Sequence, residues 1–270
     1  MVLPIRDENP TSRPAVVTLV LIAINVFVYF AVQPHTGSDA GESFLFEHAV
    51  IPCELTGGHP LTLAERATQD CGFNREVAVR TPDGVRSGSE QQFPDKNSYL
   101  AVLFSMFMHG SVAHLLGNML FLWIFGNNVE DRMGPIPYLV FYLFTGAFAT
   151  AAFVAFNVDA VVPLVGASGA IAGVMGAYIV WFPRARVLVL FGFFPLYLPA
   201  VFVLGLWFVL QFATNPNEAV AWQAHVGGFV AGALIALVTR GVFGDRTPRL
   251  RAPYGDDWDG GFRGGYPGRF

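Results

Sequence analysis

Uncharged apolar runs dominate this chain and leave few options for how it folds. Ala15 to Val32, AVVTLVLIAINVFVYFAV, is 18 residues without a charge, just long enough to span a hydrocarbon layer as a helix. Comparable runs follow at Tyr99 to Phe125, Tyr138 to Phe156, Ser168 to Phe182, Leu198 to Phe212 and Ala219 to Val242. With 53% hydrophobic and 13% charged residues and a mean hydropathy of +0.48, the composition is far from the roughly 25% charge of a soluble domain. The expectation is an all-α polytopic membrane protein with six helices in one bundle, covering residues 15–243. Residues 1–14 are expected to be a short polar cytoplasmic N-terminal segment, and 244–270 a cytoplasmic Gly, Pro, Arg and Asp-rich tail with the composition of disorder.

Orientation follows from the arginines. Arg6 and Arg13 precede the first run, Arg132 follows the second, Arg184 and Arg186 the fourth, Arg240 stands at the end of the last, and Arg246, Arg249 and Arg251 follow it. By the positive-inside rule both termini are expected to be cytoplasmic, in a membrane such as the bacterial inner or plasma membrane. A net charge of −4 gives no footprint for nucleic acid. The loop 33–98 is then external, with a short helix expected near Leu61 to Thr68. It holds both cysteines, Cys53 and Cys71, on a side where disulfides persist. A bridge and two independent thiols both fit the spacing. The spacing to His48 and His59 matches no zinc pattern, and no cofactor is expected.

The fourth run is short. About 15 residues at about 1.5 Å rise span roughly 22 Å, less than the roughly 30 Å hydrocarbon core. With its far end held by Arg184 and Arg186, its start at Ser168 falls below the external surface. Val187 to Phe212 is too long for one span, and Pro195 and Pro199 divide it into a surface-lying segment and a fifth helix.

Polar residues inside such spans are costly and mark function. Ser168 sits in VGASGAIAGVMGAY, where the small residues by themselves indicate close helix packing. In the sixth run Ala224, Gly228, Gly232 and Ala236 make a second small-residue stripe, matching Gly169, Gly173 and Ala177 on the fourth. Facing stripes bring the two helices together and set His225 at the level of Ser168, as a Ser and His hydrogen bond needs. On the second run His114 and Asn118 are four apart and share a face, placed as donors to developing negative charge. His109, five residues from His114, does not share it well, and reads as a structural group.

The segments HGSVAHLLGN (His109 to Asn118), GASGAIAG (Gly166 to Gly173), AHVGG (Ala224 to Gly228) and GNNVEDRMG (Gly126 to Gly134), in this order within a six-helix layout, resemble the rhomboid intramembrane serine proteases. The resemblance implies a dyad with Ser168 as nucleophile and His225 as general base and then acid. It implies oxyanion stabilisation by His114 and Asn118 with the Ser168 N–H, and support from His109, Gly166 and Gly169. Glu130 and Arg132, in what reads as a cytoplasmic turn, match structural positions. The implied partners are transmembrane protein substrates and the lipid bilayer, with residues 213–219 and the fifth helix as a movable cover. The long two-cysteine loop departs from the family pattern, lacking the tryptophan and arginine pair of some members. A non-catalytic client-binding relative and a solute channel are the competing readings, and the oligomeric state is left open.

Overall fold

A computed structural model describes residues 2–73, 77–192, 194–213 and 220–243. The expected tail at 244–270 and most of the expected cover at 213–219 lie outside these residues. Ten α-helices and two small antiparallel sheets are seen among the described residues. Helix α1 (Val16–Phe27) runs on as a π-helical turn, Val28–Val32, so the first apolar run is continuous. The loop after it is more structured than its sequence suggests. It contains α2 (Asp39–His48), α3 (Pro52–Gly57), α4 (Leu63–Thr68) and a hairpin of β2 (Ala78–Thr81) with β3 (Gly84–Ser87). Helix α4 falls where a short helix is expected, and starts with a reciprocal cap between Thr62 and Glu65.

This small unit has its own core of Phe46, Ile51, Cys53, Leu61 and Val161. Cys53 and Cys71 are joined by a disulfide. Lys96, the one lysine of the chain, sends its Nζ to Glu54 at 2.6 Å and donates to the Phe46 carbonyl, also at 2.6 Å, with both charged side chains 2% exposed. Burial pushes the Lys96 amine down, against the pull of Glu54.

The expected second helix at 99–125 is two helices, α5 (Ser98–Ser105) and α6 (Val112–Met133), with a break between. The break ends at Ser111, whose Oγ accepts from the His114 N–H as an N-cap. In the break, the side-chain amide of Gln33 exchanges two hydrogen bonds with the His109 backbone, at 2.8 and 3.2 Å. The expected cytoplasmic turn at 126–137 is likewise corrected, because α6 continues to Met133 and stops only at Gly134, with φ of +87°, and Pro135. Its charges are buried because they have work there. Glu130 accepts from the Val17 and Thr18 N–H groups and the Thr18 hydroxyl at 2.7 to 2.8 Å, capping the otherwise unpaired start of α1. Asp131 accepts from the Ser12 N–H at 3.0 Å and from its hydroxyl at 3.0 and 3.1 Å, in the chain leading up to α1. Helix α7 (Pro135–Phe156) follows directly.

Helix α8 (Ser168–Trp181) and helix α10 (Trp222–Val238) keep close to their expected bounds. Their small-residue stripes face each other. A Cβ placed on Gly228 would collide with the Gly169 carbonyl, one on Gly232 with the Gly173 carbonyl, and one on Gly176 with the Phe229 carbonyl. Between α8 and α9 (Ala200–Gln211) the expected surface-lying segment is a hairpin of β4 (Arg186–Phe191) and β5 (Phe194–Pro199). It is joined by β1 (Val2–Asp7), giving the order β1-β4-β5. Pro4 lies on edge strand β1, beside a shift in register, where a missing N–H is tolerated.

Two helices, α6 and α7, are each long and apolar enough to cross a membrane, and Val16–Val32, α8, α9 and α10 are shorter apolar helices. Their outer faces carry exposed large apolar side chains such as Phe27, Phe30, Leu116, Val140, Phe144, Phe202 and Leu234, far more than an aqueous surface accommodates.

Gly232→Ala should lower the melting temperature in detergent by an amount corresponding to about 1–3 kcal/mol, the usual cost of overpacking. Gly117→Ala, where a new Cβ meets nothing within 4 Å, should not; equal melting of the two variants would refute the contact. A second expectation concerns Asp7, which accepts from the Tyr178 hydroxyl at 2.6 Å and Asn128 Nδ2 at 2.7 Å. Burial raises its carboxyl from 3.8 to about 6, while these hydrogen bonds pull it back. The folded chain thus holds this proton more tightly than the unfolded chain, so the contribution to stability is full below 3.8 and is lost as pH rises to about 6. Asp7→Asn should remove this loss, on the order of 3 kcal/mol, so melting curves of wild type and variant should diverge across that window.

Candidate active site

Ser168 is the first residue of α8, where the N–H groups of a helix have no intrahelical acceptor. The chain reaches it through Gly166, whose φ of +125° strongly favours glycine. Space enforces the same choice, since a Cβ on Gly166 would lie 2.8 Å from His114 Cε1 and 3.0 Å from its Nε2. Gly169, one residue after the serine, is pressed against Ala149 and Ala224. Gly169 and Gly228 together set how near α10 comes, and His225 sits three residues before Gly228, on the turn of α10 opposite Ser168.

The result is a direct contact, His225 Nε2 to Ser168 Oγ at 2.9 Å. Both side chains are partly buried. The other imidazole nitrogen, Nδ1, is 2.7 Å from Gln211 Oε1, and the Trp207 ring lies 5.8 Å from the imidazole, inclined by 40°. A serine so paired is equipped for nucleophilic attack, because the imidazole can take its proton.

On the other side of Ser168 stands His114, its ring edge against Gly166. His109 is fully buried and packs edge-on against His114, with ring centroids 5.2 Å apart. It therefore touches His114 although five residues separate them, because the break before α6 redirects the chain. Asn118 lies one turn further along α6, is 8% exposed and has no hydrogen-bond partner for its Nδ2 among the described residues. The structure thus brings together Ser168, His225, Gly166, Gly169 and His114, and leaves Asn118 nearby without a bond to Ser168. A cavity of about 20 Å³ adjoins the serine, bounded in part by Ser105, Gly146, Thr150, Leu164 and Gly166, room for about one water.

Cys53 and Cys71 are not part of this cluster, but their unit is stitched to it by backbone bonds. Cys53 N–H donates to Ala160 O at 3.0 Å and Leu164 N–H to Val50 O at 2.9 Å. Ser105 then accepts from Val50 N–H through Oγ at 2.7 Å, and from Gly166 N–H through its carbonyl at 2.8 Å. Glu65 lies near the two sulfurs, which are bonded to one another and so present no thiolate to a metal. Sequence reasoning did not single out Ser105, Gln33, Trp207 or Gln211. Gln33 and Gln211 had a readable signal, as amides at the ends of apolar runs. Ser105 and Trp207 had none, since their partners lie on other elements.

The Rhomboid domain family profile matches residues 96–241, more than half of the chain. Rhomboid protein 1, mitochondrial, of Saccharomyces cerevisiae is 31% identical over 233 residues, 78% of this chain and 63% of that protein. Rhomboid protease GluP of Bacillus subtilis is 32% identical over 147 residues, 54% of this chain and 28% of GluP. RHOMBOID-like protein 4 of Arabidopsis thaliana is 30% identical over 134 residues, 48% and 32% of the two chains. The aligned part therefore covers less than two thirds of the length of each of these relatives. The matched region contains Ser168, His225, His114, Asn118 and the elements that position them, and this chain belongs to the rhomboid family.

Proposed function

We propose that the protein is an intramembrane serine endopeptidase that cleaves membrane-anchored proteins within or near a transmembrane helix. The observation that carries this reading is the 2.9 Å contact between Ser168 Oγ and His225 Nε2. Ser168 Oγ attacks the substrate carbonyl carbon as Nε2 takes the hydroxyl proton. The resulting oxyanion is met by the Ser168 N–H and by the side chains of His114 and Asn118, with the unpaired Nδ2 of Asn118 supporting that role. The imidazolium returns the proton to the departing amine, and water, deprotonated by His225, releases the acyl group from the serine.

The membrane arrangement belongs to the same proposal. Val16–Val32, α6, α7, α8, α9 and α10 are the six crossings. Helix α8, with 14 residues, spans about 21 Å, so its Ser168 end stops inside a hydrocarbon core of roughly 30 Å. The β1-β4-β5 sheet lies on the cytoplasmic face and the disulfide unit on the opposite one, where its bridge persists. Non-helical backbone at Pro163 to Gly166 is better tolerated at depth because the Leu164 and Gly166 N–H groups are met by the Val50 and Ser105 carbonyls. A substrate helix must unwind to present a carbonyl to Ser168, so glycine or proline near the scissile bond favours cleavage.

Purified protein and a labelled transmembrane substrate test the reading. Ser168→Ala and His225→Ala should each abolish turnover, since the two groups act as a unit. Equal cleavage by wild type and Ser168→Ala, or none by either, would overturn the assignment; the latter would point to a client-binding role. Asn118→Ala should lower kcat by roughly 10², the scale of one oxyanion donor, and an unchanged kcat would remove Asn118 from that role.

A further inference from the structure

Nothing in the serine and histidine pair itself decides which nitrogen of His225 carries the proton, yet the reaction needs Nε2 bare and Nδ1 protonated. In serine hydrolases with a third member a carboxylate performs that task. Among the described residues, no carboxylate is bonded to His225; Nδ1 meets Gln211 Oε1 at 2.7 Å. Gln211 is the last residue of α9, 7% exposed.

The orientation of this amide is fixed by a second bond. Gln211 Nε2 donates to the Trp207 carbonyl at 3.0 Å, and a carbonyl can only accept. The amide NH₂ therefore faces Trp207, the amide oxygen faces His225, and an oxygen that can only accept requires the proton on Nδ1. Nε2 is left with its lone pair toward Ser168 Oγ. One turn earlier on the same helix, the Trp207 ring packs at a tilt beside the imidazole, with ring centroids 5.8 Å apart, and its centroid is 6.1 Å from that of Phe229. The amide sets the tautomer, and the indole limits the space in which the imidazole can turn.

We propose that Gln211 is a positioning residue of the dyad, a neutral third member that sets the His225 tautomer through Nδ1–H donation to its amide oxygen. This rests on the proteolytic reading of the site. An amide adds no charge, so it orients the base while giving the imidazolium less stabilisation than a carboxylate would. The arrangement also makes α9 part of the active base.

The test compares Gln211→Met, nearly isosteric but without an acceptor, with Gln211→Glu, which keeps one. Both are assayed against wild type and Ser168→Ala for cleavage of a labelled transmembrane peptide and for the rate of Ser168 modification by a fluorophosphonate. If Gln211 positions His225, the Met variant loses about 10-fold in kcat with KM unchanged, the scale of one hydrogen bond. The fluorophosphonate rate falls in parallel, and the Glu variant recovers most of both. A purely structural role predicts the reverse order, since Met suits an apolar helix end better than Glu. Should the Met variant not fold, Gln211→Ala takes its place. Wild-type kcat and labelling in the folded Met or Ala variant, or activity lower in Glu than in Met, overturns the inference. Absence of Ser168-dependent cleavage in the wild type overturns the proteolytic reading and this inference with it.

Discussion

Backbone against backbone is the contact on which the rest of this molecule depends. Helices α8 and α10 meet where Gly228 and Gly232 lie directly over the Gly169 and Gly173 carbonyls, with Gly176 reciprocally over Phe229. No side chain intervenes, so the separation of the two helices is set by the main chain, which cannot adjust by changing rotamer. That rigidity is what a 2.9 Å bond between side chains of two different helices requires. It comes from van der Waals contact, the main attraction left between helices once lipid removes the hydrophobic difference. Gly173 is also pressed by Thr145, and Gly146 by Met106, so the tight contact extends outward from α8 to α7 and to the break before α6.

Around this core, hydrogen-bonding obligations do the joining. Irregular segments near the site are met by specific partners, Gln33 for the His109 backbone and Ser105 for Val50 and Gly166, and Glu130 does the same for the first turn of α1 at the far end of α6. In a low-dielectric interior an unpaired amide is expensive, so these partners act as fixed points more than as sources of net stability. They also explain why a disulfide unit built from the first long loop bears on the site. It is bonded to the very strand of chain, residues 160–166, that leads into Ser168.

Much of this was legible in the sequence. Helices α7, α8 and α10 follow directly from apolar runs with clear ends at proline and glycine, and the meeting of Ser168 with His225 follows from matching small-residue stripes. The misreadings have a common physical origin. The apolar run at 99–125 is unbroken in composition, and only the cap at Ser111 and the amide of Gln33 reveal that the helix is interrupted. Glu130 and Asp131 read as a solvated turn because sequence shows charges but not their partners, the start of α1 for Glu130 and Ser12 for Asp131. The strands at 186–199 hide behind two prolines, and their partner at 2–7 lies at the other end of the chain. Gln211 is a lone amide whose use depends on α9 meeting α10. In each case the missing information is a long-range partner, which local periodicity does not carry.

The pairing of β1 with β4 carries a consequence for biosynthesis. Val2 is opposite Phe191 and Asp7 opposite Val187, so β1 has no mate until α8 has left the ribosome. At about 5–20 residues per second, that is a wait on the order of 10–40 seconds. Throughout it the segment offers an unpaired edge, open to chaperones, to quality-control proteases or to another nascent chain. When β4 arrives, the sheet closes, Asp7 reaches Tyr178 and Asn128, and residues 2–7 become a latch on the helix that begins at Ser168.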